Sequence, residues 1–149
     1  QCGYKGMIIR AAIAEDFAGI EIQPMQALRG FNLNLATGIM ILKVSHAMTL
    51  LDAENRVMAI AGVIEKQTDV VSVWVLLAAD AGRHMLAITR FLKWAMRENT
   101  RGYKTIETLV RSDFGPGHRW AKMFGFACVQ PGRSKDPDGN LEDLYRRAA

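Results

Sequence analysis

The chain has 149 residues, half of them apolar, with 19 Lys and Arg against 15 Asp and Glu for a net charge of +4. That length suits one domain with a sizeable core, and no apolar run approaches the ~20 residues that span a bilayer. Two cysteines, Cys2 and Cys128, do not make a disulfide framework or a metal cluster, and basic residues interleaved with acidic ones argue against a nucleic-acid surface.

The opening Gln1–Gly6 lacks the apolar stretch of a secretory signal, which predicts a cytoplasmic protein. Met7 stands directly ahead of the first apolar residues, so residues 1–6 read as an extension and 7–149 as a single domain. Met7–Arg10 predicts a short strand. Glu15 and Asp16 suit the start of a helix through its dipole, and that helix should cover roughly Glu15–Ile22. Pro24 breaks it and can open another ending near Gly30. Residues 34–45 read as helical. Ala47–Leu51 and Arg56–Ile64 are apolar runs joined by the polar turn Asp52–Asn55, the spacing of antiparallel neighbours. A second turn, Glu65–Asp69, leads into Val70–Leu77, the strongest strand by its β-branched and aromatic content. It is apolar on both faces, which predicts helices on each side of the sheet.

After Ala78–Gly82, Met85, Ile88, Leu92 and Ala95 recur at steps of three and four, predicting a helix that ends between Asn99 and Gly102. Thr105–Arg111 alternates as a half-buried strand. Gly115-Pro116 can open a helix carrying Trp120, Met123 and Phe124 and stopped by Gly125. Phe126–Val129, with Cys128 in the core, and Leu141–Arg146 are closing strands around a loop over Pro131–Asn140.

This order, the strand, turn and helix after Leu77, and the ending Ala121-Lys122-Met123-Phe124-Gly125-Phe126 resemble the GCN5-related N-acetyltransferase (GNAT) superfamily over nearly the whole chain. The series Trp74–Leu77, Ala81–Met85 and Gly117–Ala121 looks like a branch of small bacteriophage-encoded members, some of them virion-associated. The resemblance implies an α/β (α+β) fold with a mixed, mostly antiparallel central sheet flanked by helices on both faces. It also implies an acyl-CoA-dependent N-acetyltransferase using acetyl-CoA on a small-molecule or protein amine, in the host cytoplasm and without a membrane partner. The alternative is a catalytically inactive structural or interaction protein of the same fold, bound to a protein partner or carried in the virion.

In that family the pantetheine arm slots beside the central strand and the pyrophosphate meets amides at the following helix start, where unpaired N–H groups and a partial positive charge suit an anion. Carried over, the coenzyme residues are Leu76, Leu77, Ala78, Ala81, Gly82, Arg83 and His84. The family's loop begins with Arg or Gln and has two small residues; here Ala79 opens it, Gly82 is kept, and His84 replaces the second small residue. Asp80 can cap the helix and set a carboxylate against the anion. The usual tyrosine acid falls at Ala121, and Val70–Leu77 contains no carboxylate base. The remaining candidates for proton transfer are His118, a residue type able to accept a proton near neutrality, Glu65 just before the central strand, and Tyr145 on the closing strand, each with a plainer reading as cap, surface or packing residue. Trp74, Trp94 and Trp120 read as core. Ser112 and Asp113 read as turn residues. His46 has no partner at ligand spacing, and no metal is proposed.

Overall fold

The structure, a computed structural model, describes residues 6–23 and 33–149, so the helix expected between Pro24 and Gly30 lies outside the described residues. Seven strands form one sheet in the order β1-β2-β3-β4-β5-β7-β6: β1 (Ile8–Ala11), β2 (His46–Leu51), β3 (Val57–Gln67), β4 (Val70–Leu77), β5 (Thr105–Arg111), β6 (Ala127–Lys135) and β7 (Leu141–Ala148). Neighbours run antiparallel except β4 and β5, which are parallel because the crossover through α3 (Met85–Asn99) returns the chain in the same direction. α1 (Ala14–Gly19) and α2 (Leu35–Val44) precede β2, and α4 (Gly115–Met123) joins β5 to β6.

Strand alternation sorts the core into two layers. Trp74 and Leu76 of β4 pack with Phe17 of α1 and Ile41 and Leu42 of α2. On the other face Leu77 and Val75 meet Ile88 and Phe91 of α3, while Val71 and Val73 pack with Val110, Ala121 and Phe126 around α4. Helices therefore cover both faces, as the doubly apolar β4 requires. Phe17 and Phe91 are fully buried and anchor one layer each. Gly125, at φ +88°, ends α4 in a backbone conformation that a side chain would strain.

Several boundaries differ from the sequence reading. α1 stops at Gly19, and Ile22 instead forms an isolated bridge with Ala78. β3 runs on through Glu65 to Gln67, so Glu65 lies in a strand opposite Val71 rather than in a turn. β6 continues through Pro131 to Lys135, leaving Asp136–Asn140 as the connection. Proline is tolerated there because β6 is the sheet's edge strand, with register shifts on either side of Gln130. The same edge position leaves Cys128 exposed instead of in the core.

Candidate functional site

β4 and β5 pair only at their beginnings. Their register runs Val70↔Thr105, Val71↔Ile106, Ser72↔Glu107 and then ends, so the two strands part over their carboxyl halves. Thr108 Oγ1 donates to the Val73 carbonyl at 3.0 Å, a side-chain bond standing in where the ladder stops. Beyond it, residues 72–76 of this central strand are only half-buried although helices cover both faces. The exposure comes from the gap itself. A cavity of about 480 Å³ fills the gap and crosses the sheet. From the α3 and α4 side it is lined by Val73, Val75, Val110, Ala121 and Phe124; from the α1 and α2 side by Trp74, Leu76, Leu109, Arg111 and Glu142. Its volume lies in the range of small-molecule sites, about 300–1,000 Å³.

Two of the three tryptophans read as core, Trp74 and Trp120, line this cavity, whereas Trp94 packs on the α3 layer. Trp74 lies over Gly62 of the neighbouring strand, where a Cβ would collide with the indole, and its Nε1 donates to Ser45 Oγ at 3.0 Å. Gly62→Ala should therefore expel the indole, break the Ser45 bond and reshape the cavity wall, at a cost of about 1–3 kcal/mol. Chemical denaturation reports the loss of stability, and tryptophan emission reports the displaced ring.

Past the end of β4 the chain makes a 3₁₀ turn, Ala81–His84, before α3 begins. Of the residues expected to hold a coenzyme, Leu76 and Leu77 line the cavity; the Ala78 amide donates to Met58 O, and buried Ala81 spends its amide on Ala78 O. The Arg83 amide bonds Asp80 O at 3.3 Å. The Asp80 side chain makes no capping bond to the turn, so it does not plug it. Among the described residues nothing lies within 4 Å of where a Gly82 side chain would stand, with Arg83 exposed and His84 half-buried beside it.

His118 and Tyr145, 27 residues apart in the chain, are brought together. His118 Nδ1 lies 2.7 Å from the Tyr145 hydroxyl, and Nε2 lies 3.0 Å from the Ser112 carbonyl. A carbonyl only accepts, so Nε2 carries the hydrogen; in the neutral ring Nδ1 then accepts from the Tyr145 hydroxyl. Burial pushes the Tyr145 phenol up, which keeps the donor protonated. Asp143 lies 3.9 Å from His118 Nε2, and bonds from Ser112 Oγ and the Gly132 amide hold its carboxyl below the ordinary carboxylate range. This cluster ties the start of α4 to β7; neither His118 nor Tyr145 is among the residues lining the cavity. Tyr145→Phe should cost about 1–3 kcal/mol by leaving Nδ1 without its donor, measurable by urea unfolding. Glu65 stands elsewhere: it faces Val71, in the stretch where β4 and β5 are still paired, and accepts from the Tyr103 hydroxyl at 2.8 Å.

Sequence reasoning missed Glu142 and Arg111. They are register partners on β7 and β5 and share one face at the cavity mouth, joined there by Asp136 of the β6–β7 connection. Burial first, then the Asp136 charge, pushes the Glu142 carboxyl up, offset by a bond from Ser134 Oγ. The period-two placement of Glu142 opposite Asp143 on its strand was the available signal. Ala121, where a tyrosine acid was sought, is buried and adds cavity space rather than a proton donor. Among the described residues no group of His, Cys, Asp or Glu side chains could hold a metal ion, and no helix is long and apolar enough to cross a membrane.

The sheet with its parted parallel pair defines the fold of the GCN5-related N-acetyltransferases, and solved structures of that class superpose on nearly the whole chain. An N-acetyltransferase from Staphylococcus aureus Mu50 is similar at TM-score 0.72 and 14% identity, covering 95% of this chain and 98% of its own. A GNAT-superfamily phosphinothricin acetyltransferase from Sinorhizobium meliloti, solved with AcCoA, gives 0.69 and 11%, covering 96% and 88%. The spermidine N-acetyltransferase SpeG of Vibrio cholerae, in a single-substitution mutant form, gives 0.68 and 11%, covering 97% and 95%. No protein-family model and no curated protein matches the sequence.

Proposed function

We propose that this chain is an acyl-CoA-dependent N-acyltransferase that holds the thioester arm of acetyl-CoA in the gap between β4 and β5. The observation that carries the reading is the end of the β4–β5 register at Ser72↔Glu107, with a mainly apolar cavity running through the opening. The residues present fit the group. Leu76, Leu77 and the half-buried Val73 and Val75 supply a wall for an extended aliphatic arm, while the open face of Gly82 leaves room, and the exposed Arg83 beside it positive charge, for a pyrophosphate. Bound there, acetyl-CoA would supply an activated acyl carbon. The chain's own share is to orient it, exclude water with apolar walls, and receive the acceptor from the opposite face.

Isothermal titration with acetyl-CoA tests this. One-site binding in the micromolar range is expected, weakened at least about tenfold by Gly82→Trp, whose side chain enters open space and leaves the core untouched. No heat at millimolar coenzyme overturns the reading. The second reading, a phage-encoded fold kept for structure or for a protein partner in the virion, is favoured by Ala121 in place of an acid and by the Ala81 and Arg83 amides already bonded within the chain. Silence in the titration is its expected outcome.

A further inference from the structure

We propose that Glu142 binds the ammonium group of a small cationic amine acceptor and removes its proton, the acceptor entering from the face of the sheet opposite α4. The inference rests on the coenzyme reading above.

β7 alternates: Asp143 and Tyr145 turn towards α4, where they meet Ser112 and His118, so Glu142 points to the other face. There it lines the cavity across from its register partner Arg111. Because the cavity crosses the sheet, a nucleophile at Glu142 approaches an acyl group in the gap from the side away from α3 and α4.

The other charged groups at this mouth are committed. Arg111 donates to Asp113 through Nε at 3.0 Å and Nη2 at 2.9 Å. Asp136 accepts from the Asp138 and Asn140 amides and from Asn140 Nδ2, closing the β6–β7 connection. Among the described residues, the Glu142 side chain is held by one long bond, from Ser134 Oγ at 3.4 Å. It is thus the carboxylate at the mouth able to turn to a ligand. Burial and the neighbouring Asp136 raise its proton affinity above that of an ordinary carboxyl, in the direction a general base needs. A half-buried carboxylate with a second one beside it, set in apolar walls, favours a cation over a neutral or anionic acceptor.

Glu142 takes one proton from the ammonium; the freed nitrogen lone pair forms the N–C bond to the acyl carbon. The C–S electron pair leaves with sulfur, the second nitrogen proton neutralises the thiolate, and Glu142 returns its proton to water. No side chain at position 121 is required.

The test compares the unmodified chain with Glu142→Gln, using acetyl-CoA with propylamine and spermidine as probes. Glu142→Gln should lower acetyl transfer about 100-fold or more at neutral pH and leave acetyl-CoA affinity unchanged. The deficit should shrink at alkaline pH, where solvent deprotonates the amine; Arg111, Asp113, Ser134, Asp136 and, across the cavity, His46 are the groups that share this environment and remain in place. Spermidine binding to the coenzyme-free chain should weaken about tenfold in the same variant, a readout independent of turnover. Transfer by Glu142→Gln within about threefold of the unmodified chain, or a deficit constant across pH, overturns the base. Acetyl-CoA binding without transfer to either probe also overturns it while leaving the coenzyme reading intact. Loss of acetyl-CoA binding by the unmodified chain overturns both.

Discussion

Val75→Trp should abolish acetyl-CoA binding while the chain stays folded. Val75 sits on β4 beyond the last β4–β5 register pair, half-buried, with its side chain on the α3 side of the cavity. Val75 packs on the α3 core and also lines the cavity, so a larger ring has cavity space to extend into and its overpacking penalty should stay within about 1–3 kcal/mol. The same ring fills the channel needed by a pantetheine arm. Calorimetry should show affinity reduced at least about 100-fold, the scale of about 3 kcal/mol of lost contact, with circular dichroism unchanged. Unaltered affinity in a folded Val75→Trp would place the coenzyme outside the gap.

The second large effect concerns stability. Asp16 is 4% exposed, yet its carboxylate receives Arg10 through two bonds at 2.8 and 2.7 Å, the Ile13 amide at 2.9 Å and Thr49 Oγ1 at 2.8 Å. One group thereby fastens β1, the start of α1 and β2. Asp16→Ala would strand the Arg10 charge and the buried Thr49 hydroxyl and should cost about 3–5 kcal/mol in urea unfolding. The pH dependence follows from the direction of its shift. Burial alone would push the Asp16 carboxyl up, but the bonds from Arg10, Ile13 and Thr49 outweigh it and hold the carboxyl below the usual 3.8. A carboxyl depressed by folding contributes stability that is present above 3.8 and lost as pH falls through its lower folded value. Asp16→Asn should flatten that acid limb; an unchanged acid limb would assign it to other carboxylates.

Asp16 also marks the boundary of what sequence could show. Its position at a helix start suggested a dipole contact, whereas its partners, Arg10 and Thr49, lie on two strands whose registers had to be known first. β4 and β5 emerged with the bounds read from the sequence, because Val70–Leu77 and Thr105–Arg111 carry dense β-branched or alternating patterns that few other structures satisfy. Their parting left no local trace. It depends on how two strands separated by α3 align, and a β4 that opens onto a gap has the same apolar composition as one buried in a continuous sheet. Glu142 was hidden for a similar reason: on a closing strand beside Asp143, an acidic residue looks like a solvated face until the cavity shows which side of the strand it is on. The pairing of His118 with Tyr145 was equally out of reach, since both were considered singly and only the packing of α4 on β7 joins them. Pro131 misled in the other direction, marking a loop where an edge strand could absorb it.

A crystal structure of the chain with coenzyme A bound tests the account most directly. The sulfur should lie in the opening between Val73–Leu77 and Thr108–Val110, with the phosphates towards Gly82 and Arg83 and Glu142 on the far side of the sheet. Coenzyme seated on any other surface, with that opening unchanged, would contradict it.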